Sequence, residues 1–338
     1  MENPIIYIET GRNVPRYFFR NLQLLQELYP KKDTLLFYDN IEKRISSKIP
    51  HQNLKLLHRS ELRPSRLSKM FFEAEKSWSY KQRDFWQNTT ARFFHLYDIM
   101  QGLGISTSVH LESDVIVLSE LALEIQEHER KTGLAYPMQN CKQGCASIFK
   151  VAKLAALEEF LKYVLANWHR KDINDMTLLG EFSNSEFVTV LPTWPNEIEP
   201  TDNLIYDAGS IGKYFLGSDA RNQRLPFSRR GFIDFTPGSS SIHFGDHKVL
   251  WKIGTYCENI LTLEYGKEKY PIANLHLHSK RIPNNKESLL GSLKKGFRTN
   301  RGVWWELGKL DFLVLLERLY SFANRRIFKN PIQEKYFR

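Results

Sequence analysis

The chain has 338 residues, of which 42% are hydrophobic and 25% charged, and its net charge at pH 7 is +10. This composition is typical of a folded globular protein and excludes a disordered or collagen-like chain. A chain of this length buries enough surface to fold without disulfides. We expect its three cysteines, Cys141, Cys145 and Cys257, to be reduced thiols, as in a cytosolic protein, with no structural zinc site at the Cys141–Cys145 pair.

The positive charge is concentrated near the end of the chain. Residues 291–338 carry eleven Lys and Arg against four Asp and Glu, a net +7, which leaves +3 for residues 1–290. We therefore predict a body over 1–290 and a basic tail over 291–338, in which residues 303–328 have the pattern of an amphipathic helix with aromatic anchors. Such a helix either contacts an anionic membrane surface or docks on the body, and both alternatives stay open.

The sequence shows neither a signal peptide nor a run that approaches the roughly 20 apolar residues of a membrane-spanning helix. We therefore expect a cytoplasmic protein, whose basic tail allows peripheral contact with the cytosolic face of a membrane.

The first predicted elements form a strand–helix–strand unit. Residues 4–9 are apolar and β-branched and predict a strand, and residues 34–39 predict a second one. Between them, residues 15–29 predict a helix with one apolar face. This order is the seed of a parallel sheet.

The rest of the body continues the alternation of strands and helices. We predict helices over 60–86, 88–103, 120–130, 146–169 and 172–183, and strands over 107–118, 133–137, 186–191, from 247 onward, 260–265 and 272–278. Residues 202–245, rich in Gly, Ser, Asp and Asn, predict long loops. The fold class is therefore α/β, a single large domain with a mostly parallel central sheet flanked by helices.

Two carboxylates, Glu112 and Asp114, interrupt the apolar strand predicted over 107–118. Two buried like charges cost several kcal/mol without a partner. On an extended segment the side chains at i and i+2 point the same way, so a divalent cation held between them would remove the repulsion. Carboxylate oxygens suit Mg²⁺ or Mn²⁺. The alternative is a solvated acidic turn at the end of a strand.

Three further groups of residues carry chemistry. His276 and His278 share a face of the last predicted strand, and either is a metal ligand or a half-buried strand histidine. Asp175 opens a predicted helix, where the alternative to a functional role is an N-cap. Asp207 precedes small residues, which suits a close backbone approach to a ligand or a loop cap.

The acid-x-acid strand resembles the DxD motif of GT-A fold glycosyltransferases, with Glu112 in place of the first Asp. Arg92, in NTTARFFHLYDIM, lies ahead of that strand, as an arginine does in retaining enzymes of the glycogenin-like and glycosylating-toxin groups. PIIYIETGRNVPRYFFRNLQLLQ resembles the first strand and helix of bacterial glycosyltransferases that act on surface polysaccharides. The resemblance implies a GT-A type, Rossmann-like sheet.

The same resemblance implies a cation site and a diphosphate site. Glu112 and Asp114 would ligate Mn²⁺ or Mg²⁺ together with a late histidine, for which we prefer His278 and keep His276 as the alternative. Lys280 would meet the diphosphate of the donor.

The resemblance also implies contacts with the rest of the donor. Asp175 would contact the donor sugar, and Asp207, in a DA-x-x-IG-x-Y element, would hold donor or acceptor hydroxyls. Ligands of open α/β sheets lie outside the carboxyl ends of the strands. The expected nucleotide-sugar contacts are Thr10, Gly11, Arg12, Asp39, Arg92, Glu112, Ser113 and Asp114.

The leading prediction is transfer of a sugar from a UDP- or GDP-sugar to a hydroxyl of a glycan or lipid-linked saccharide, with retention implied by the resemblance. One alternative is a zinc-dependent hydrolase that uses His243, His247, His276 and His278. Another is a non-enzymatic basic module that binds RNA or a membrane. The acid-x-acid strand argues against it, because a phosphate binder gains nothing from buried carboxylates, and we expect no nucleic-acid partner.

Overall fold

The computed structural model describes residues 2–10, 14–40, 53–74, 85–170, 173–193, 204–216, 250–253, 260–265, 267–277, 282–283 and 285–294. The helix predicted over 303–328 and most of the loops predicted over 202–245 lie outside these ranges.

Thirteen strands are defined in the described ranges: β1 Ile5–Glu9, β2 Thr34–Tyr38, β3 Leu54–His58, β4 Ser108–Leu111, β5 Val115–Val117, β6 Leu134–Asn140, β7 Gln143–Gly144, β8 Ile148–Val151, β9 Val188–Leu191, β10 Leu250–Ile253, β11 Leu261–Tyr265, β12 Glu268–Pro271 and β13 Asn274–His276. The α-helices there are Arg16–Leu28, Arg66–Ala74, Phe85–Leu103, Glu127–Thr132, Leu154–Asn167, Asp175–Phe182, Ser210–Leu216 and 286–294. Short 3₁₀ turns span Arg59–Glu61 and Glu120–Leu123.

The main sheet has the strand order β3-β2-β1-β4-β8-β6-β7, and β9 also pairs with β6. β1 runs parallel to β2 and β4, β2 to β3, and β6 to β9. Only β8 and the short β7 run antiparallel to their partners among these strands. The predicted α/β class with a mostly parallel sheet is therefore confirmed.

Both faces of this sheet are covered, as a mostly parallel sheet requires. Along β1, Ile5 and Tyr7 pack in one buried cluster with Phe18 of the helix Arg16–Leu28. Ile6 points to the other face and belongs to a second cluster with Phe93 of the helix Phe85–Leu103. The period of two along the strand thus fixes one helical layer on each side of the sheet.

The strand predicted over 107–118 is wrong as a single element. It is two strands, β4 and β5, separated by a turn at Glu112–Asp114 in which the Val115 N–H donates to the Glu112 carbonyl (3.1 Å). β5 leaves the main sheet and pairs antiparallel with β13. The acids therefore mark a point where the chain changes sheets.

The helix predicted over 146–169 is wrong in its first part. Residues 148–151 form β8, which lies between β4 and β6, and the helix is Leu154–Asn167. All of β8 is buried. A short apolar run that is buried on both faces shows no period that separates a strand from a helix.

The helix predicted over 60–86 is shorter in the described residues, where it covers Arg66–Ala74. Strands β3, β7 and β12, and the helix over 286–294, were not predicted. Ser210–Leu216 forms a helix inside the region predicted as loops.

A third buried cluster surrounds β5 and β13. It includes Leu275 of β13 and Leu289 and Leu293 of the helix 286–294. The predicted boundary between residues 290 and 291 therefore falls inside a helix that packs on the body. No helix in the described part of the chain combines the length and the apolar character needed to cross a bilayer.

Candidate active site

The Glu112–Asp114 turn lies at the carboxyl end of β4, and neighbouring backbone holds it in place. The Glu112 N–H donates to the Ser147 carbonyl (3.2 Å), and the Leu277 N–H donates to the Asp114 carbonyl (2.8 Å). The first bond ties the turn to the segment that enters β8, and the second ties it to the end of β13. The two carboxylates therefore project from a rigid turn rather than from an extended strand.

Asn21 is a third anchor of this turn, and its role was not predicted from the sequence. It is buried, and its side-chain amide donates to the carbonyls of Ser113 (3.0 Å) and Val115 (2.7 Å). A polar residue next to the apolar positions Phe18 and Leu22 of the first helix is the signal that was available. The Ser113 hydroxyl itself donates to the Tyr17 hydroxyl (3.4 Å).

His276 faces both carboxylates. Its Nε2 lies 3.1 Å from Glu112 Oε2 and 3.6 Å from Asp114 Oδ2. The pairing of β13 with β5 sets this position, because His276 pairs with Val115 directly after the turn. Of the two candidate histidines, the structure thus brings His276, our alternative, to the carboxylates, and His278 lies outside the described residues.

Arg92 joins two carboxylates that are distant in the sequence. Its guanidinium donates to Glu112 Oε1 and, at 2.6 Å, to Asp175 Oδ2. Its side chain is 11% exposed and that of Asp175 3%, so this pairing is formed largely away from water. Charge-assisted hydrogen bonds of this kind are short and strong, and they fix the orientation of both carboxylates.

Asp175 is free for this contact because its neighbour caps the helix. The Thr177 N–H donates to Asn174 Oδ1 (2.9 Å), so Asn174 is the N-cap and Asp175 is the first helical residue. The N-cap that was the alternative for this segment is therefore present, but it is Asn174 and not Asp175. Burial raises the pKa of the Asp175 carboxyl, while the Arg92 charge opposes that rise.

The charged groups of the cluster shift one another's pKa values. Burial alone would raise the pKa of Glu112, but Arg92 and His276 hold it well below its usual value. Burial alone would lower the pKa of His276, but Cys145 and Glu112 raise it well above its usual value. Burial likewise works against the Arg92 charge, and Glu112 and Asp175 raise its pKa. The cluster is thus a compact set of mutually stabilised charges.

Cys145 lies on the other side of the imidazole. Its sulfur is 3.7 Å from His276 Nδ1, and the residue is buried. One ligand atom each from Glu112, Cys145 and His276 lie within 4.8 Å of one another. The sequence predicted Cys145 only as a reduced thiol that forms no zinc site with Cys141, because its nearness to His276 depends on tertiary packing.

The donor atoms of this cluster fit a divalent cation. Glu112 keeps Oε2 toward His276 while its other oxygen binds Arg92, and Asp114 Oδ2 lies against the same imidazole nitrogen. Two carboxylates and one imidazole suit Mn²⁺ and are less typical of Mg²⁺, which prefers oxygen ligands.

Asp207 is bound by its own backbone surroundings. Its Oδ1 accepts the N–H groups of Gly209 (2.7 Å) and Ile211 (3.0 Å), and its Oδ2 accepts those of Gly212 (2.7 Å) and His276 (2.9 Å). The carboxylate therefore caps the helix Ser210–Leu216 and fixes the backbone of His276. This corresponds to the loop cap that was the alternative to a hydroxyl contact.

Only some of the residues predicted to contact the nucleotide lie within the described ranges. Thr10 follows β1 and Asp39 follows β2, whereas Gly11, Arg12 and Lys280 lie outside the described residues. Asp39 pairs with Arg59 (3.4 Å) and lines a cavity of about 420 Å³.

The cavity lies at the carboxyl ends of β2 and β3, against Phe72 and His95. None of Arg92, Glu112, Asp114 and His276 lines it. β2 and β4 are two positions apart in the sheet, so Asp39 and Glu112 follow strands about 10 Å apart.

Comparison with known proteins gives structural matches only. No family model matches the chain, and no curated protein sequence matches it. A galactosyltransferase, LgtC, solved with donor and acceptor sugar analogues, aligns over 87% of this chain and 94% of its own, with a TM-score of 0.41 and 10% identity. Mouse xyloside xylosyltransferase 1 aligns over 61% of this chain and 88% of its own, with a TM-score of 0.38 and 11% identity.

The PaToxG glycosyltransferase aligns over 53% of this chain, with a TM-score of 0.37 and 13% identity. The chain spans 64% of the length of PaToxG and 40% of that of the bifunctional glycosyltransferase WbbM, which is less than two thirds of each. The chain is thus similar to solved glycosyltransferases at low TM-scores and low identity, and the proposed function depends on the geometry of its own site.

Proposed function

We propose that this chain transfers a sugar from a nucleoside diphosphate donor to a hydroxyl acceptor, with a divalent cation held by Glu112, Asp114 and His276. The observation that carries the proposal is the convergence of these three side chains at the carboxyl edge of a mostly parallel sheet. This edge is where open α/β sheets bind their ligands. The cation would neutralise the charge that builds on the leaving diphosphate.

Arg92 would prepare Glu112 for this task. Because its guanidinium engages Oε1, the other carboxylate oxygen stays turned toward His276 and Asp114. The charge of the same arginine lowers the pKa of Asp175 and so opposes the larger rise that burial causes. In this proposal Asp175 lies beside the cation site, where its carboxylate is oriented to accept a hydrogen bond from a hydroxyl of the donor sugar.

Lys280 and Asp207 would have different roles in the same site. Lys280 follows His276 by four residues in the chain, and its ammonium would meet the diphosphate. Asp207 supports the site indirectly, since it holds the N–H of His276. The sequence resemblance implies retention at the anomeric carbon, and we assign no catalytic base.

The proposed donor is a UDP- or GDP-sugar, and the proposed acceptor is a glycan or lipid-linked saccharide. Thr10 and Asp39 follow the neighbouring strands β1 and β2, which suits contact with a nucleoside. Contact of residues 291–338 with a membrane would bring the site close to a lipid-linked acceptor.

The zinc-hydrolase alternative is not favoured. His243, His247 and His278 lie outside the described residues, and His276 faces two carboxylates that Arg92 and the β4 turn organise. That surrounding suits a cation bound mainly by oxygen atoms.

A thermal-shift screen tests the proposal. UDP, GDP and CDP are added with and without Mn²⁺ to the wild type, to Asp114→Ala and to Glu73→Ala, which removes an exposed carboxylate that is not among the proposed site residues. A ligand at 100 times its Kd stabilises the native state by about 2.7 kcal/mol. We expect one nucleotide to raise the melting temperature of the wild type and of Glu73→Ala only when Mn²⁺ is present, and to leave Asp114→Ala unchanged. A shift with zinc alone and none with any nucleotide would overturn the proposal.

A further inference from the structure

Backbone contacts hold Cys145 beside the proposed cation site. The Cys145 N–H donates to the Pro137 carbonyl (2.9 Å), and the carbonyl of Ser147, two residues on, accepts the Glu112 N–H (3.2 Å). Gly144 is packed so closely that a Cβ there would lie 2.6 Å from the Cβ of Leu179. The thiol therefore has a fixed position relative to the Glu112–Asp114 turn.

The two nitrogens of His276 face different groups. Nε2 points to the carboxylates of Glu112 (3.1 Å) and Asp114 (3.6 Å). Nδ1 points to the sulfur of Cys145 at 3.7 Å. The backbone N–H of His276 is held by Asp207, so the residue is anchored on three sides.

A histidine that ligates a metal through one nitrogen needs a partner for the N–H on the other, because that hydrogen bond fixes both the tautomer and the direction of the ring. We propose that Cys145 is this positioning residue: its sulfur accepts the Nδ1–H of His276, which leaves the Nε2 lone pair directed at a divalent cation between Glu112 and Asp114. This inference rests on the cation site of the proposed function.

This positioning role of Cys145 differs from direct ligation of the cation by its thiol. If sulfur were itself a ligand, the cation would lie between Cys145 and the imidazole, away from Asp114. The distances favour the carboxylate side, because Nε2 lies close to oxygens of both acids. Spacings of this order between ligand atoms are those expected when one ion binds them at about 2.0–2.2 Å each.

Binding of Mn²⁺ to the nucleotide-free protein, measured by titration calorimetry, tests the role of Cys145. The variants are Cys145→Ala, Cys145→Ser and, as a matched control, Cys141→Ala, which removes an exposed thiol four residues away. Loss of such a supporting group typically weakens metal binding about 10–100-fold. We expect that loss in Cys145→Ala, recovery toward the wild type in Cys145→Ser, whose hydroxyl also accepts a hydrogen bond, and no change in Cys141→Ala.

Two further readouts complete the test. Cys145→Val keeps an apolar side chain in the packed site and replaces the alanine variant if that one does not fold, as judged by its melting temperature without metal. The absorption spectrum of the Co²⁺-loaded wild type should lack a sulfur-to-cobalt charge-transfer band.

The possible results separate failure of the Cys145 role from failure of the cation site. Equal Mn²⁺ affinity in the wild type and Cys145→Ala, or in Cys145→Val, overturns the role of Cys145 and leaves the cation site standing. A charge-transfer band that disappears in Cys145→Ser shows direct ligation and also overturns the positioning role. If the wild type itself binds no Mn²⁺, the cation site of the proposed function fails, and the inference fails with it.

Discussion

Replacing Arg92 by Leu should destabilise the protein strongly. The guanidinium serves two carboxylates, of which Asp175 has a side chain only 3% exposed and Glu112 one 19% exposed. Removing one member of a buried ion pair costs about 3–5 kcal/mol, because the partner is left charged and out of water. Two carboxylates lose the charge of Arg92 here, although Glu112 keeps its contact with His276, so we expect a value within that range.

The matched control is Arg170→Leu. Arg170 also makes two bonds of 2.6 Å to a carboxylate, that of Glu181, but the two side chains are 42% and 31% exposed. Because exposed pairs contribute little to stability, we expect only a small change in Arg170→Leu. Urea unfolding followed by far-UV circular dichroism gives both values, provided that the slope of the transition is unchanged. If Arg92→Leu loses no more stability than Arg170→Leu, the buried contacts of Arg92 with Glu112 and Asp175 do not stabilise the site.

Two further predictions concern the support of the site and the acid stability of the fold. Gly212→Ala should cost about 1–3 kcal/mol and weaken Mn²⁺ binding, because the new Cβ would lie 2.1 Å from the His276 carbonyl oxygen. Gly291→Ala, where a Cβ meets nothing within 4 Å, should be neutral or stabilising. Equal changes in stability in the two variants would contradict the close packing of Gly212 against His276. Burial lowers the pKa of His95 from 6.5 to about 3, so its contribution to stability is present above pH 6.5 and is lost as the pH falls toward 3. Between pH 7 and pH 5 this residue should lower the free energy of unfolding by about 2 kcal/mol. Urea unfolding at the two pH values should show that this loss is absent in His95→Phe. An unchanged pH dependence in the variant would show that His95 is protonated in the fold.

The sequence predicted best what depends on local period. The unit β1, the helix Arg16–Leu28 and β2 matched to within one or two residues at each end, because apolar spacing and flanking turns decide it. The prediction failed at β8, because its residues are buried on both faces and a helix follows shortly after the strand. It also failed at the break between β4 and β5, because only the pairing of β5 with β13 shows that the chain changes sheets there.

The residue types of the site could be predicted from the sequence, but not the contacts between them. Glu112 and Asp114 were candidates from their residue types and spacing, and Arg92 was implied by the resemblance; the structure brings Arg92 and Glu112 into contact. His276 and His278 fall on one face of the strand predicted over 272–278, so no pattern in the sequence separates them. The contact between Cys145 and His276 joins residues 131 positions apart and exists only in the folded chain.

In the proposed function, Glu112, Asp114 and His276 bind a cation that supports nucleotide-sugar chemistry. The most direct test is the release of nucleoside diphosphate from UDP- and GDP-sugars by the wild type and by Asp114→Asn, with the metal first removed by chelation and Mn²⁺ then restored. We predict turnover of one donor that needs Mn²⁺ and falls on the order of 100-fold or more in Asp114→Asn. Turnover that persists without metal, or that is unchanged in Asp114→Asn, would contradict this account.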